Sequence, residues 1–206
     1  MNKSKRDFRA PWQNPITREE WDKFLSTNYR YARNEAYQEI RKEIKKSKNL
    51  SFLEIGFGNT YDFDHCFKQL HDSGQIKYTG FEITEQFVNF ANEKYNDKYD
   101  FRLANFTDIK DSYDITYTRH VLEHQDPNNA YDYFKTLLQK TKRLCIVTWF
   151  ATPKQKERLN WCERDGFGHT GAWVNMYSKP RILNIIAGQK FKLEIIKVRW
   201  RRRYNE

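Results

Sequence analysis

The sequence predicts an α/β domain in three layers, a mostly parallel sheet with helices on both faces. Two observations carry this expectation. Short apolar runs alternate with longer stretches in which apolar residues recur at helical spacing. Such alternation builds βαβ units, and right-handed crossovers then leave few topologies. In sheets of this kind a ligand sits beyond the carboxyl ends of the strands, where the strand order reverses.

The elements follow in order. Residues 1–16 are polar, contain Pro11 and Pro15, and read as an extended arm. Thr17 followed by Glu20 is a capping-box pattern, and Trp21, Phe24, Leu25, Tyr37, Ile40 and Ile44 keep helical spacing up to about Ser47. Residues 1–48 are therefore expected to form an arm and helical cap, with the main domain over 49–206. "LSFLEI" (50–55) is a short apolar strand, and "DHCFKQLHDSG" (64–74) is a helix closed by Gly74. "KYTGFEI" (77–83) is a strand, and "TEQFVNFANEKYN" (84–96) is a helix with a Thr cap. "DFRLAN" (100–105) and "YDITYT" (113–118) are strands; "RHVLEH" is expected to start a crossover helix, and "NAYDYFKTLLQKT" (129–141) to be helical. "RLCIVTWF" (143–150) is a buried strand, with Cys145 in its core. "SKPRILNIIAG" (178–188) is a helix with Pro180 in its first turn, and "FKLEIIKVRW" (191–200) a last strand. The stretch between, 151–177, is long for a loop and is expected to be a substrate lid.

Composition bounds the function classes. A chain of 206 residues suits one domain and buries roughly 70% of its unfolded surface. Its 15 Phe, 13 Tyr and 6 Trp argue against disorder. The net charge of +10 is concentrated at both ends, around a slightly acidic middle. That favours anionic partners, although a solvated Lys-rich surface explains it equally well. Three cysteines without CxxC spacing point to a reducing compartment and a cytoplasmic protein. No window is apolar enough to span a membrane, the N-terminus does not read as a secretory signal, and no cluster has metal-ligand spacing.

The chemistry is expected at "SFLEIGFGNTYD" (51–62). Glycines allow a turn to approach a ligand with bare backbone. A dinucleotide fingerprint would need a third glycine where Tyr61 stands, and no Gly-Lys-Ser/Thr follows to make a P-loop. Glu54 disfavours a pyrophosphate but suits a cationic ligand. Glu82, at the end of the second strand, stands where an acid accepts a ribose diol. Together these residues ask for a nucleoside with a free diol, no pyrophosphate, and positive charge near the first turn.

At these residues the chain resembles the class I S-adenosylmethionine-dependent methyltransferases of the broad small-molecule type. "LEIGFGNT" is similar to the family's first motif, "YTGFEIT" to its second, and "RLANFTDI" with "YDITYTRHVLEHQDP" to the stretch that follows. The resemblance covers residues 50–150 and, more loosely, 160–198. It implies a Rossmann-like methyltransferase sheet with an N-terminal helical extension and a shortened or rearranged C-terminal strand hairpin. It implies S-adenosyl-L-methionine as cofactor, with Glu54, Gly56 and Gly58 along its methionine part. Glu82 would hold the ribose and Ile83 would pack beside the adenine. Asn105 and the Phe106 N–H would meet the adenine edge, and Thr118 the methionine end. Asn59 and Thr60 stand where the family usually has a third glycine.

For the acceptor side, the resemblance points to Arg119, Tyr29, Tyr31 and Trp173 as substrate-binding residues. The candidate bases are His169, between two glycines in the expected lid, and His120 at the fourth strand's end. His124 reads as structural and Glu123 as a helix-surface or hydrogen-bonding residue. No (D/N)PP(Y/F) turn follows the fourth strand, which argues against exocyclic base methylation. The expected activity is methyl transfer to oxygen or nitrogen of a small or saccharide-like molecule. The alternatives are an RNA-directed methyltransferase using the basic termini, a partner class allowed but not favoured, and a non-catalytic cofactor-binding module.

Overall fold

The structure is a computed structural model and describes residues 30–148, 158–162 and 172–187. The chain enters through α1 (Arg30–Ile44) and then alternates. β1 (Leu50–Ile55) leads through a π-helical turn (Phe63–Phe67) into α2 (Lys68–Asp72), and β2 (Ile76–Glu82) leads into α3 (Glu85–Tyr95). β3 (Asp100–Leu103) is followed by a 3₁₀ turn (Phe106–Asp108), and β4 (Tyr113–Arg119) by another (Leu122–His124). Then come α4 (Ala130–Gln139), β5 (Thr141–Thr148), β6 (Arg158–Cys162), β7 (Ala172–Met176) and α5 (Lys179–Ile186).

Five strands form one sheet in the order β3-β2-β1-β4-β5, and every pairing in it is parallel. The chain runs outward from β1 to β3, then returns to the other side of β1 at β4. The order therefore reverses between β1 and β4, and their carboxyl ends frame the crevice. β1 is central and almost wholly buried, which is why "LSFLEI" reads as a continuous apolar run.

The two faces pack differently. One carries an aromatic cluster: Phe52 lies 4.6 Å from Phe67, and Phe63 lies 4.5 Å from Tyr78, ring centre to ring centre. α1 closes this face with Ala36, Ile40 and Ile44. Arg143 near the start of β5 reaches Glu43 on α1 at 2.8 Å and Ser47 just after it at 2.7 Å. The opposite face joins Leu53, Ile55 and Phe81 to Tyr133, Phe134 and Leu137 of α4 and to Ile182 of α5.

Several boundaries differ from expectation, each for a local reason. The 64–74 helix opens as a π turn, and Gly74 closes it at φ +70°. Thr84 occupies the N-cap of α3 but makes no side-chain cap bond. "RHVLEH" does not begin the crossover helix. His120 sits at φ +56° and Pro127 lies ahead, so the chain makes only a 3₁₀ turn before α4 starts at Ala130. Cys145 is half-buried on β5, and Cys66 is buried. Within the expected lid, residues 158–162 and 172–176 pair antiparallel as a separate two-stranded sheet. The arm, the first part of the N-terminal helix and the strand expected at 191–200 lie outside the described residues.

Candidate functional site

β1 delivers its glycine turn into the crevice. Gly56, at φ +75°, donates its N–H to Phe81 O at 2.8 Å. A Cβ on Gly56 would lie 2.3 Å from Val121 Cγ2, so the turn after β4 is seated against the turn after β1. Gly58, at φ +53°, would meet nothing within 4 Å; its bare face is open. Thr60 takes the bend left by the absent third glycine. It is fully buried at φ +68°, a costly position for a β-branched residue. Lys94 Nζ donates to its hydroxyl at 2.9 Å, and Asn59 Oδ1 accepts from Tyr61 N at 3.3 Å.

Three buried carboxyls surround this turn. Glu54 accepts the Tyr78 hydroxyl at 2.5 Å. Burial and the neighbouring Asp62 push its carboxyl up to about 8. Gly80, opposite Glu54 on β2, leaves room for that contact: a Cβ there would sit 2.9 Å from Tyr78 Oη and 2.9 Å from Phe57 Cδ1. Asp62 accepts from Tyr117 Oη at 2.7 Å and from the Arg119 guanidinium at 2.5 and 2.9 Å. Burial opposes the Arg119 charge, but Asp62 more than restores it. Arg119, expected to face the acceptor, is thus held inside by Asp62. Asp62, Tyr78 and Tyr117 were missed in the sequence because nothing local ties them to Glu54 or Arg119.

Glu82 is the third acid. Its carboxylate accepts the backbone N–H of Gly58 at 3.1 Å, Ile83 at 2.8 Å and Thr84 at 3.2 Å. Burial raises its pKa against these three donors. The acid therefore ties the open glycine turn to the end of β2. Its Oε2 accepts from Gly58 N and its Oε1 from Ile83 N and Thr84 N. Ile83 is half-buried beside it.

The other expected contacts are arranged less directly. Asn105 caps the 3₁₀ turn: its Oδ1 accepts from Phe106 N at 2.7 Å, and its own N–H goes to Asp108 Oδ2 at 2.7 Å. The two groups expected at an adenine edge thus satisfy each other, and the Asn105 side chain must turn to release them. Thr118 is buried with its hydroxyl 2.7 Å from Tyr133 Oη, so its side chain faces α4.

A histidine–carboxylate pair stands at the exit of β4. His120 Nδ1 lies 2.5 Å from Glu123 Oε1, and the His120 N–H donates to Thr148 Oγ1 at 3.3 Å. Glu123 has no exposed surface, so of its two expected readings, helix-surface or hydrogen-bonding residue, the second is the one it takes. Burial pushes its carboxyl up, but the facing imidazoles of His120 and His124 bring it below the usual carboxylate range. β7 packs on this turn, and Asn175 Nδ2 donates to Gln125 O at 2.8 Å. Trp173 lies on β7, in register with Trp161, and Tyr31 lies on α1; their side chains are outside the described residues, as are Tyr29 and His169. Among the described residues, no three His, Cys, Asp or Glu side chains could hold a metal ion, and no helix is long and apolar enough to cross a membrane.

A family model described as a methyltransferase domain matches residues 28–195. No curated protein matches the chain. Among solved structures, the fold is similar to magnesium protoporphyrin IX methyltransferase from Synechocystis PCC 6803 with bound SAH. That match has 14% identity over 92% of this chain and 89% of the other, with a TM-score of 0.64. The same enzyme with bound SAM matches at 15% identity over 91% and 80%, with a TM-score of 0.58. The plantazolicin methyltransferase, in complex with a triazolic desmethylPZN analog and SAH, matches at 17% identity and a TM-score of 0.53. The match covers 74% of this chain and 57% of that one. At these identities the likeness is one of fold.

Proposed function

The chain belongs to the methyltransferase-domain family, and from that premise we propose that it transfers the methyl group of S-adenosylmethionine to an oxygen, or secondarily a nitrogen, of a small or saccharide-like acceptor. The residues present fit the cofactor. Arg119 is paired with Asp62, and the proton that Glu54 beside them keeps to about 8 marks a deficit of positive charge that a sulfonium and an ammonium fill. The open side of Gly58 admits a ligand to bare backbone. The Glu82 carboxylate at the end of β2 suits a ribose hydroxyl.

When bound, S-adenosylmethionine supplies a methyl carbon whose bond to sulfur breaks, leaving a neutral thioether, as the acceptor atom's bond to it forms. The protein's part is to orient and to take a proton. Glu54 and Asp62 favour positive charge beside the turn; Glu82 fixes the ribose. An acceptor that arrives as a hydroxyl must also lose a proton, and His120 is the base in this reading.

The observation that carries the acceptor class is the placement of the His120–Glu123 pair. The next residue, Val121, packs on Gly56, which sets the β4 exit that carries His120 against the glycine turn. A carbon or thiol nucleophile would have less use for a proton acceptor. Tyr29, Tyr31, Trp173, His169 and the 151–177 segment complete the acceptor pocket in this reading.

The test is incubation with methyl-labelled S-adenosylmethionine and an extract of the native host, followed by mass spectrometry. A labelled small molecule methylated on oxygen or nitrogen is the expected product. Label found only on RNA, protein or carbon would overturn the acceptor class.

A further inference from the structure

We propose that Glu123 is a positioning residue that fixes which nitrogen of His120 takes the acceptor's proton. The inference rests on the reading of His120 as the base. In sequence Glu123 looks like an unremarkable residue of a helical stretch; its role comes from the turn that replaced that helix.

Three features single it out. First, Glu123 is completely buried, and its contact with His120 Nδ1 is 2.5 Å. Its other oxygen, Oε2, has no hydrogen-bond partner among the described residues. A buried carboxylate with so few donors is costly unless a cation, or a group that becomes one, faces it. His120 is that group, and His124 adds to the same field. Second, His120 is held at φ +56°, a backbone region that a residue with a Cβ seldom occupies. The position is fixed from both sides, by Thr148 Oγ1 on β5 and by Val121 against Gly56. Such strain persists where the surroundings over-determine a side chain's direction. Third, β7 seals the turn from behind, with Asn175 bonded to the Gln125 carbonyl.

The chemistry follows from the bond. A carboxylate only accepts, so His120 Nδ1 must carry the proton in that contact. The lone pair of the neutral ring then resides on Nε2, an atom buried in this structure. As the acceptor hydroxyl sheds its proton to Nε2, the ring becomes an imidazolium, and the Glu123 carboxylate meets its charge at Nδ1. No other proton moves, and no metal or oxidant is required. Glu123 touches neither acceptor nor cofactor; it acts through His120.

The experiment has one arm that needs no acceptor. Long-range ¹H–¹⁵N spectra of the ¹⁵N-labelled full chain, with His120→Gln used for assignment, identify the protonated nitrogen of neutral His120. The expected result is a proton on Nδ1 and a bare Nε2; a proton on Nε2 in the wild type overturns the proposal. The second arm uses Glu123→Gln, which keeps the shape and an acceptor oxygen but removes the charge, and Glu123→Asp. With the acceptor found by labelled methyl profiling, kcat should fall at least about tenfold in Glu123→Gln. The Kd for S-adenosylmethionine should stay unchanged, and Glu123→Asp should recover part of the rate. Transfer by Glu123→Gln at the wild-type rate overturns the proposal. Absence of S-adenosylmethionine binding by the wild type would instead sink the functional reading, and the spectra distinguish the two failures.

Discussion

Replacing Glu54 by glutamine should flatten the dependence of stability on pH around neutrality. The unfolded chain releases this proton near the ordinary value of 4.5, whereas the folded, ligand-free protein holds it to about 8. Between those limits the folded state carries one proton more than the unfolded state. Its stability therefore falls as pH rises, from a full contribution below 4.5 to a loss that levels off above about 8. The whole difference is worth about 5 kcal/mol, at 1.36 kcal/mol for each pH unit of separation. Between pH 5.5 and 7.5 the wild type should lose about 3 kcal/mol from this group. For a chain of this size that is a fall in Tm of about 6–12 °C. Glutamine has no proton to release but keeps an oxygen for the Tyr78 hydroxyl. Its own thermal scans across that range should lack this component. Glu82, also raised by burial, contributes the same sign in both proteins, so the comparison reads Glu54 together with its coupling to Asp62 and Glu82. Parallel Tm–pH curves for the two proteins would refute the reasoning.

The remaining expectations concern neighbouring residues. Glu82→Ala should weaken S-adenosylmethionine binding by about 1–3 kcal/mol in titration calorimetry, because the ribose loses its acceptor and the Gly58 turn its anchor. Asp62→Ala should lower unfolding free energy by about 3–5 kcal/mol in denaturant titrations, since it strands the buried Arg119 charge. Gly80→Ala should cost about 1–3 kcal/mol by forcing Phe57 or the Tyr78 hydroxyl aside; a neutral result would mean that those rings yield freely.

The sheet was legible because its strands are short, apolar and punctuated by acids and glycines. "LSFLEI" coincides with β1, and Glu82 ends β2 as expected. Local spacing also sufficed for Gly74 and Pro180. What escaped was set by distant partners. Asp62 acquires meaning only from Arg119 and Tyr117 on β4, and Gly80 only from the hydroxyl passing over it. The turn at 122–124 defeated helical periodicity because a backbone conformation at His120, invisible to residue spacing, had already turned the chain. Asn105, expected at the adenine edge, has its side chain committed to the neighbouring N–H of Phe106. Thr60 answers how the first turn bends without a third glycine: the strain is carried by a threonine that lysine and packing hold in place.

The contact of Val121 with Gly56 has a mechanical consequence. In the proposed reading the loop after β1 would receive the cofactor and the loop after β4 would carry the base, and the two meet directly at Val121 and Gly56. A displacement of one is passed to the other by direct push. On that reading, loading the cofactor would also set the aim of the His120 imidazole, and the cofactor would be expected to enter first.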